Sequence, residues 1–300
     1  MDVVALGELL IDFTSAGESS GHSAMFERHP GGAPANVAVG CRRLGLRTAF
    51  IGKVGNDVHG SFLRKVLEQE GVDCRNLMID RAAPTPLAFA MLSPDGEREF
   101  SFARFHSADT RLTADEPDFA LIKSAKILHV GTLSMSAEPS RSATLAALGC
   151  AKANGVTVSL DINYRAPLWS GTDKFAAAVC ELMPYTDLLK MSEEDLHALG
   201  GIGFITELPK FGIITCGAKG AWIVVRDGIA LPEEEQTFIP AVKVDDVADT
   251  TGAGDAFWAA ALYEYITYGQ ITGELAAKAG AAATQKRGAI PALPTLADLQ

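Results

Sequence analysis

Nine residues near the C-terminus, Asp249-Thr250-Thr251-Gly252-Ala253-Gly254-Asp255-Ala256-Phe257, set two carboxylates around a stretch of small residues at the start of an apolar run. Small residues at 252–254 let the backbone turn tightly, so that successive N–H groups point at one spot. The apolar run reads as a helix, whose N-terminus offers orphan donors and a macrodipole end that favours an anion. Asp255, in the first turn, then places a carboxylate beside that anion. A base next to an anion hole suits proton removal from a hydroxyl that attacks a phosphoryl group. A Gly-rich helix start whose Asp255 only complements the dipole would read the same way. A dinucleotide fingerprint fits poorly, because Phe257 stands where its third glycine belongs. No Gly-x4-Gly-Lys-Ser/Thr loop occurs, which excludes a P-loop kinase.

A second group, Pro30-Gly31-Gly32-Ala33-Pro34-Ala35-Asn36, precedes a helix that ends at Arg42-Arg43-Leu44-Gly45. Paired glycines allow backbone to approach a ligand closely, and Asn36 both donates and accepts hydrogen bonds, a mixture that a polyol wants. A turn with a buried capping Asn is the alternative. Asp161-Ile162-Asn163-Tyr164-Arg165 follows a buried strand, at the end where α/β sites form. Arg165 there would reach a phosphate, or else make a surface salt bridge. Thr215-Cys216-Gly217-Ala218-Lys219-Gly220 is a strand end followed by a glycine turn, which a hairpin connection also explains.

These groups need a frame to hold them. Short apolar runs alternate with Ala/Leu-rich helical stretches: strands at 3–6, 48–54, 127–130, 156–160, 188–191, 212–215 and 222–225. Helices are expected at 33–44, 58–70 and 138–154, after a Ser192 cap, and at 253–268 and 272–286. That alternation predicts an α/β fold, with a mostly parallel sheet covered by helices, over a single domain spanning 1–300. Residues 11–30 and 85–105 break the pattern. They hold strand candidates at 87–92 and 99–105 around a Pro94-Asp95-Gly96 turn, and predict a small antiparallel sheet acting as a lid, or else a surface hairpin.

Composition narrows the partners. The 300 residues carry 26 Lys+Arg against 37 Asp+Glu, a formal charge of −11, which gives no pull toward nucleic acid or an anionic membrane. The five cysteines, Cys41, Cys74, Cys150, Cys180 and Cys216, form no Cys-x-x-Cys pair and read as free thiols of a reducing compartment. The N-terminus lacks the basic region and apolar stretch of a signal peptide, and no apolar run reaches the ~20 residues needed to cross a bilayer. A soluble, cytoplasmic protein is expected.

The two glycine-bearing motifs, in this order and about 220 residues apart, resemble the two signatures of the ribokinase-like (PfkB) carbohydrate kinases. Gly7-Glu8…Asp12 fits the opening strand of that family, so the resemblance spans essentially the whole chain. It implies a Rossmann-like body with a β lid over the sugar, a homodimer through that lid, ATP and Mg²⁺, and in many members K⁺. Carried over by position, Asp255 is the general base and the backbone of Gly252, Ala253 and Gly254 is the anion hole. Asp12, Gly31, Gly32 and Asn36 match sugar-binding positions. Lys190, Ser192, Thr215, Gly217 and Gly220 match the nucleotide side. A monovalent cation would sit between Asp249 and Thr251 on one loop and Ala283, Lys286 and Gly288 on another.

Glu8–Phe13 and Gly31–Asn36 are similar to the fructokinases of the family, and Arg104 and Arg165 fit arginines that such members present to sugar and phosphate. Arg104 read alone is an exposed strand charge. The implied reaction is ATP-dependent phosphorylation of a sugar primary hydroxyl, with D-fructose giving fructose 6-phosphate. 2-Keto-3-deoxygluconate kinase and ribokinase are the rivals, and a non-catalytic sugar- or nucleotide-binding regulator on the same fold is the alternative from another class. One departure stands out. The family's Asn-x-x-Glu, linked to Mg²⁺, appears as Ser192-Glu193-Glu194-Asp195, where Asp195 is one methylene short and a helix capping box is an equal explanation.

Overall fold

The computed structural model describes residues 1–20, 23–92, 98–201, 211–225 and 236–300. The chain opens with β1 (Val3–Leu6), β2 (Leu10–Ser20), β3 (Ser23–Gly31), α1 (Ala33–Arg43), β4 (Thr48–Gly55), α2 (Val58–Gln69) and β5 (Asp73–Asp80). It continues through β6 (Leu87–Leu92), β7 (Arg98–Ala103), α3 (Phe119–Lys123), β8 (Ile127–Gly131), α4 (Ser140–Ala153), β9 (Thr157–Asp161) and α5 (Thr172–Leu182). The remainder is β10 (Leu188–Ser192), α6 (Glu193–Ala198), β11 (Phe211–Thr215), β12 (Gly220–Val225), β13 (Gln236–Pro240), α7 (Ala253–Tyr268), α8 (Glu274–Ala283) and α9 (Ala289–Ala292).

Among the described residues, nine strands make one sheet in the order β13-β12-β11-β10-β9-β8-β1-β4-β5. Every pair from β5 across to β11 is parallel, and only β12 and β13 are added antiparallel. The unbroken apolar runs follow from burial on both faces. Along β1, Val3 and Ala5 pack with α1, α2, α7, α8 and α9, whereas Val4 and Leu6 pack with α3, α4 and α5. The expected α/β fold, a mostly parallel sheet covered by helices, is the one observed.

Helix α7 is buried along most of its length, from Asp255 through Leu262, so its apolar character all round is that of a core helix. Gly40 of α1 meets it: a Cβ there would stand 2.7 Å from the Ala259 Cβ. The Trp258 indole donates to Ser159 Oγ at 2.9 Å and ties α7 to β9.

A separate sheet has the order β3-β2-β6-β7. The antiparallel expectation holds for β2–β3 and β6–β7 but not for β2–β6, which run parallel. The chain between them passes through β3, α1, β4, α2 and β5, a connection long enough to bring β6 back in the same direction. Residues 94–96 of the expected turn lie outside the described residues. Strand β5 was not anticipated, because its mixed polar and apolar sequence is that of an exposed sheet edge.

All five cysteines are free, with Cys41, Cys74 and Cys216 buried. Among the described residues no helix is long and apolar enough to cross a membrane.

Candidate active site

From β1 the sheet extends to β4 and β5 on one side and to β8 through β11 on the other. Ligand crevices of open α/β sheets form where the strand order diverges in this way, beyond the strands' C-terminal ends. A cavity of about 1310 Å³ opens there. Glu8 enters it just past β1, Leu133 past β8, Asn163 to Arg165 past β9, and Lys190 near the end of β10. The small sheet supplies a further wall through Leu10, Asp12, Ala88 and Phe102.

Two helix N-termini face the same space. Helix α1 starts after Gly32, whose φ of 109° favours glycine and whose Cβ would stand 2.4 Å from the Glu8 carbonyl oxygen. No side chain of its own caps this helix; instead Glu8, 25 residues earlier, accepts from Ala33 N through Oε1 at 3.0 Å. At Gly31 a side chain would collide with the Asp12 carboxylate, 2.0 Å away. Helix α7 starts after Gly252, left-handed at φ 81° and packed against Ala289. Gly252 and Gly254 line the cavity. Ala253 N donates to Thr250 O at 3.2 Å, so one of the three amides expected in the anion hole turns back into its own loop.

Asn36 and Asp255, 219 residues apart, join where these termini meet: Asn36 Nδ2 donates to Asp255 Oδ2 at 2.7 Å. Lys190 lies beside them, buried, its Nζ bonded to both oxygens of Asp161 at 3.0 and 2.8 Å. A Cβ on Gly254 would stand 3.0 Å from Lys190 Nζ, so the glycine makes room for the ammonium at the start of α7.

Burial raises the Asp255 carboxyl above its ordinary range, opposed by Lys190, the Asn36 hydrogen bond and Arg165. Burial pushes Asp161 up to about 6 despite Lys190. Burial alone would lower Lys190, but Asp161, Asp255 and Asp195 outweigh it and hold the ammonium charged. Half-buried Asp12 rises to about 7, through desolvation by the cavity walls and repulsion from Asp255 and Asp249. Glu8 also rises to about 7, chiefly through burial.

Not every expected residue reaches the cavity. Arg104 is buried and not part of the cavity wall, rather than exposed on a strand, with its guanidinium bonded to Asp109 at 2.6 Å, Ser136 Oγ at 2.8 Å and Leu133 O at 3.0 Å. Ser192 and Asp195 form the capping box of α6, and the second Asp195 oxygen accepts from Tyr164 N at 2.7 Å. Thr215, Gly217 and Gly220 belong to the β11–β12 turn, outside the cavity wall, while Glu193, Glu194 and His197 of α6 line it instead. Asp249 accepts from Thr251 N and Oγ1 at 2.9 and 2.7 Å and from Gly288 N at 3.0 Å, tying together the two loops read as a cation site. Ala283 ends α8, and Lys286 precedes Gly288 in the same connection.

Three participants were absent from the sequence reading of the site: Glu8, Asp161 as the partner of Lys190, and Leu133. Glu8 and Leu133 lie just past the ends of buried parallel strands and Asp161 closes one, and that position is the signal that would have found them.

The whole chain has relatives. The description pfkB family carbohydrate kinase matches residues 1–296. Fructokinase-1 of Zea mays is 39% identical over 317 residues, covering 99% of this chain and 96% of the relative. A fructokinase structure from Xylella fastidiosa with bound ATP superposes with a TM-score of 0.88 at 28% identity, covering 99% of this chain and 96% of that one. A double-mutant fructokinase of Vibrio cholerae O395, described in its fructose, ADP and potassium ion bound form, gives 0.86 at 33% identity, covering 100% and 97%.

Proposed function

Because the chain belongs to the pfkB family of carbohydrate kinases, we propose that it transfers the γ-phosphoryl group of ATP to the C6 hydroxyl of D-fructose. The observation that carries this reading is the Asn36–Asp255 pair at the mouth of α7. Asn36 occupies Oδ2, which leaves Oδ1 of Asp255 to take the hydroxyl proton. The sugar oxygen then bonds to the γ-phosphorus as the bond to the departing ADP oxygen breaks. Little covalent chemistry falls to the protein, whose work is positioning and charge stabilisation. The α7 N-terminus, through Gly252 and Gly254, faces the transferring group. Lys190 adds a fixed positive charge there, and Arg165 a second cation at the rim.

The fructokinase structures, described with bound ATP in one and with fructose, ADP and potassium ion in the other, support the choice of substrates. Asp12, Gly31, Gly32 and Asn36 form the sugar end. MgATP enters as substrate at the other end, toward α6 and the β11–β12 turn. K⁺ fits between the loops joined by Asp249 and Gly288, where the donors are hard oxygens. The small sheet acts as the lid of a single domain, since Leu10, Asp12, Ala88 and Phe102 cover the sugar end. Met25, Phe26, Met91 and Phe105 lie exposed on it or next to it, which suits burial against a second copy of the chain. Free thiols throughout suit a cytoplasmic protein.

The test is a panel under saturating MgATP. Fructose should give the highest kcat/KM among fructose, ribose, 2-keto-3-deoxygluconate and adenosine. A clearly higher rate on 2-keto-3-deoxygluconate would transfer the assignment to that kinase, and no turnover with any sugar would favour the silent binder. Light scattering on the purified protein reads the dimer directly.

A further inference from the structure

Six buried side-chain polar atoms have no hydrogen-bond partner among the described residues, and two of them, Glu8 Oε2 and Asn36 Oδ1, belong to residues that line the cavity. The other four, on Thr48, His59, His129 and Trp169, lie on residues away from the cavity wall. Buried polar atoms in folded proteins are almost always paired, and an unmade bond costs stability. Two such atoms on one cavity wall mark a place where something else supplies the donors.

Asn36 Oδ1 is an acceptor, and Glu8 Oε2 is one once its carboxyl is ionised, above about 7. The Asn36 amide nitrogen is committed to Asp255 and fixes its oxygen as the outward group. Glu8 is 3% exposed, and its Oε1 is committed to Ala33 N. Nearby cations do not close the remaining valence: Arg104 is bonded to Asp109, Ser136 and Leu133, and Lys190 to Asp161. We propose that Glu8 is a sugar-contacting specificity residue, whose Oε2 accepts a hydrogen bond from a substrate hydroxyl other than the one phosphorylated. This inference rests on the sugar-kinase reading of the cavity.

Placement along α1 assigns the hydroxyl. Asn36 touches the base and so belongs to the reacting end. Glu8 meets α1 at Ala33, about one helical turn away. It therefore faces a hydroxyl on the far side of the ring from C6. Its effect falls on sugar affinity rather than on the chemical step. A carboxylate in this role also rejects analogues, since a ligand without that hydroxyl leaves the buried charge unpaired.

The experiment, run at about pH 8 so that the Glu8 carboxyl is ionised, compares wild type with Glu8→Gln, which keeps a carbonyl for Ala33 N but removes the charge. Calorimetric sugar binding without nucleotide and steady-state kinetics are measured with fructose and with its 1-, 3- and 4-deoxy analogues. The expected result is a rise in Kd and KM for fructose of roughly 10- to 100-fold, the worth of a charge-assisted bond. At saturating sugar kcat should stay within about threefold, as expected when binding alone is lost. One analogue should bind wild type and variant alike, because it lacks the hydroxyl in question. An equal penalty with every analogue, or none with fructose, overturns the proposal. Glu8→Asp, which keeps the charge but withdraws it by one methylene, is read by the same criteria and stands in if circular dichroism shows the amide variant unfolded. If wild type prefers another sugar, the fructose assignment fails alone, and the deoxy series of that sugar tests Glu8. A wild type that binds no sugar overturns both.

Discussion

Gly40 of α1 and Ala259 of α7 touch with no room for a side chain between them, since a Cβ on Gly40 would lie 2.7 Å from that of Ala259. Four residues earlier on each helix stand Asn36 and Asp255, hydrogen-bonded at 2.7 Å. One helical turn separates the packing contact from the polar one on both helices. The close approach of α1 and α7 is therefore what brings an amide and a carboxylate together across 219 residues of sequence.

Gly40→Val should separate these helices. Overpacking of this kind costs about 1–3 kcal/mol, felt as a lower thermal midpoint. Displacement of Asn36 from Asp255 should also lower kcat in the protein that remains folded. Calorimetry and kinetics on the one variant check both. An unchanged midpoint would mean that the contact is slack and sets no distance.

Much of this arrangement can be read in the residues themselves, and the divide between what can and what cannot is physical. Strands such as Val3–Leu6 announce themselves because burial on both faces demands an unbroken apolar run. Gly252 and Gly254 are legible because a tight turn into a helix selects small residues. Asp161 is not, because nothing in its neighbourhood says that Lys190, on the adjacent strand, will neutralise it. Arg104 misleads for the converse reason. Its strand neighbours suggest an exposed charge, while Asp109, five residues on, turns back to it and Leu133 and Ser136 reach it from a segment 29 and 32 residues away. Long-range polar pairing leaves no local pattern.

Stability should fall as pH rises from about 5 to about 7.5. Glu8, Asp12 and Asp161 have folded-state values raised to about 7, 7 and 6. A group raised on folding holds a proton that the unfolded chain has already lost, so its contribution is full below the unfolded value and disappears as pH climbs through the folded one. His129, lowered to about 3 by burial, acts in the opposite sense up to its ordinary value near 6.5. Three carboxyls outweigh one imidazole. Lowered carboxyls such as Asp57 and Asp80 complete their titration below this window. Scanning calorimetry across the range should show the decline, and Asp12→Asn should flatten it. A rising midpoint would mean that these carboxyls are hydrated in the folded state.

K⁺ should raise the rate. Asp249 links Thr251 to Gly288, so that one carboxylate organises both loops between which the ion is proposed to sit. Since Asp249 opens the segment that leads into α7, an ordered ion there would steady the turn at Gly252 and the amides behind it. Rates are compared in K⁺ and in tetramethylammonium at constant ionic strength. Equal rates in the two would remove the ion from the account.

Asp255→Asn tests the chemistry most directly. The substitution keeps size, and its own carbonyl oxygen can still receive the Asn36 amide, but the side chain can no longer take the hydroxyl proton. Loss of a general base costs about 10²–10⁴ in rate, so kcat should collapse. Sugar and ATP affinities should move little, because they depend mainly on Asp12, Asn36, Glu8 and the nucleotide end. The thermal midpoint should not fall either, since burial already disfavours the charge on Asp255 and the amide removes it. A carboxylate that served only the dipole of α7 would be worth about 0.3–1 kcal/mol and would give the reverse pattern, a lowered midpoint with activity retained. A folded variant turning over within about tenfold of wild type, well short of the usual loss of a base, would rule out the proton transfer assigned to Oδ1.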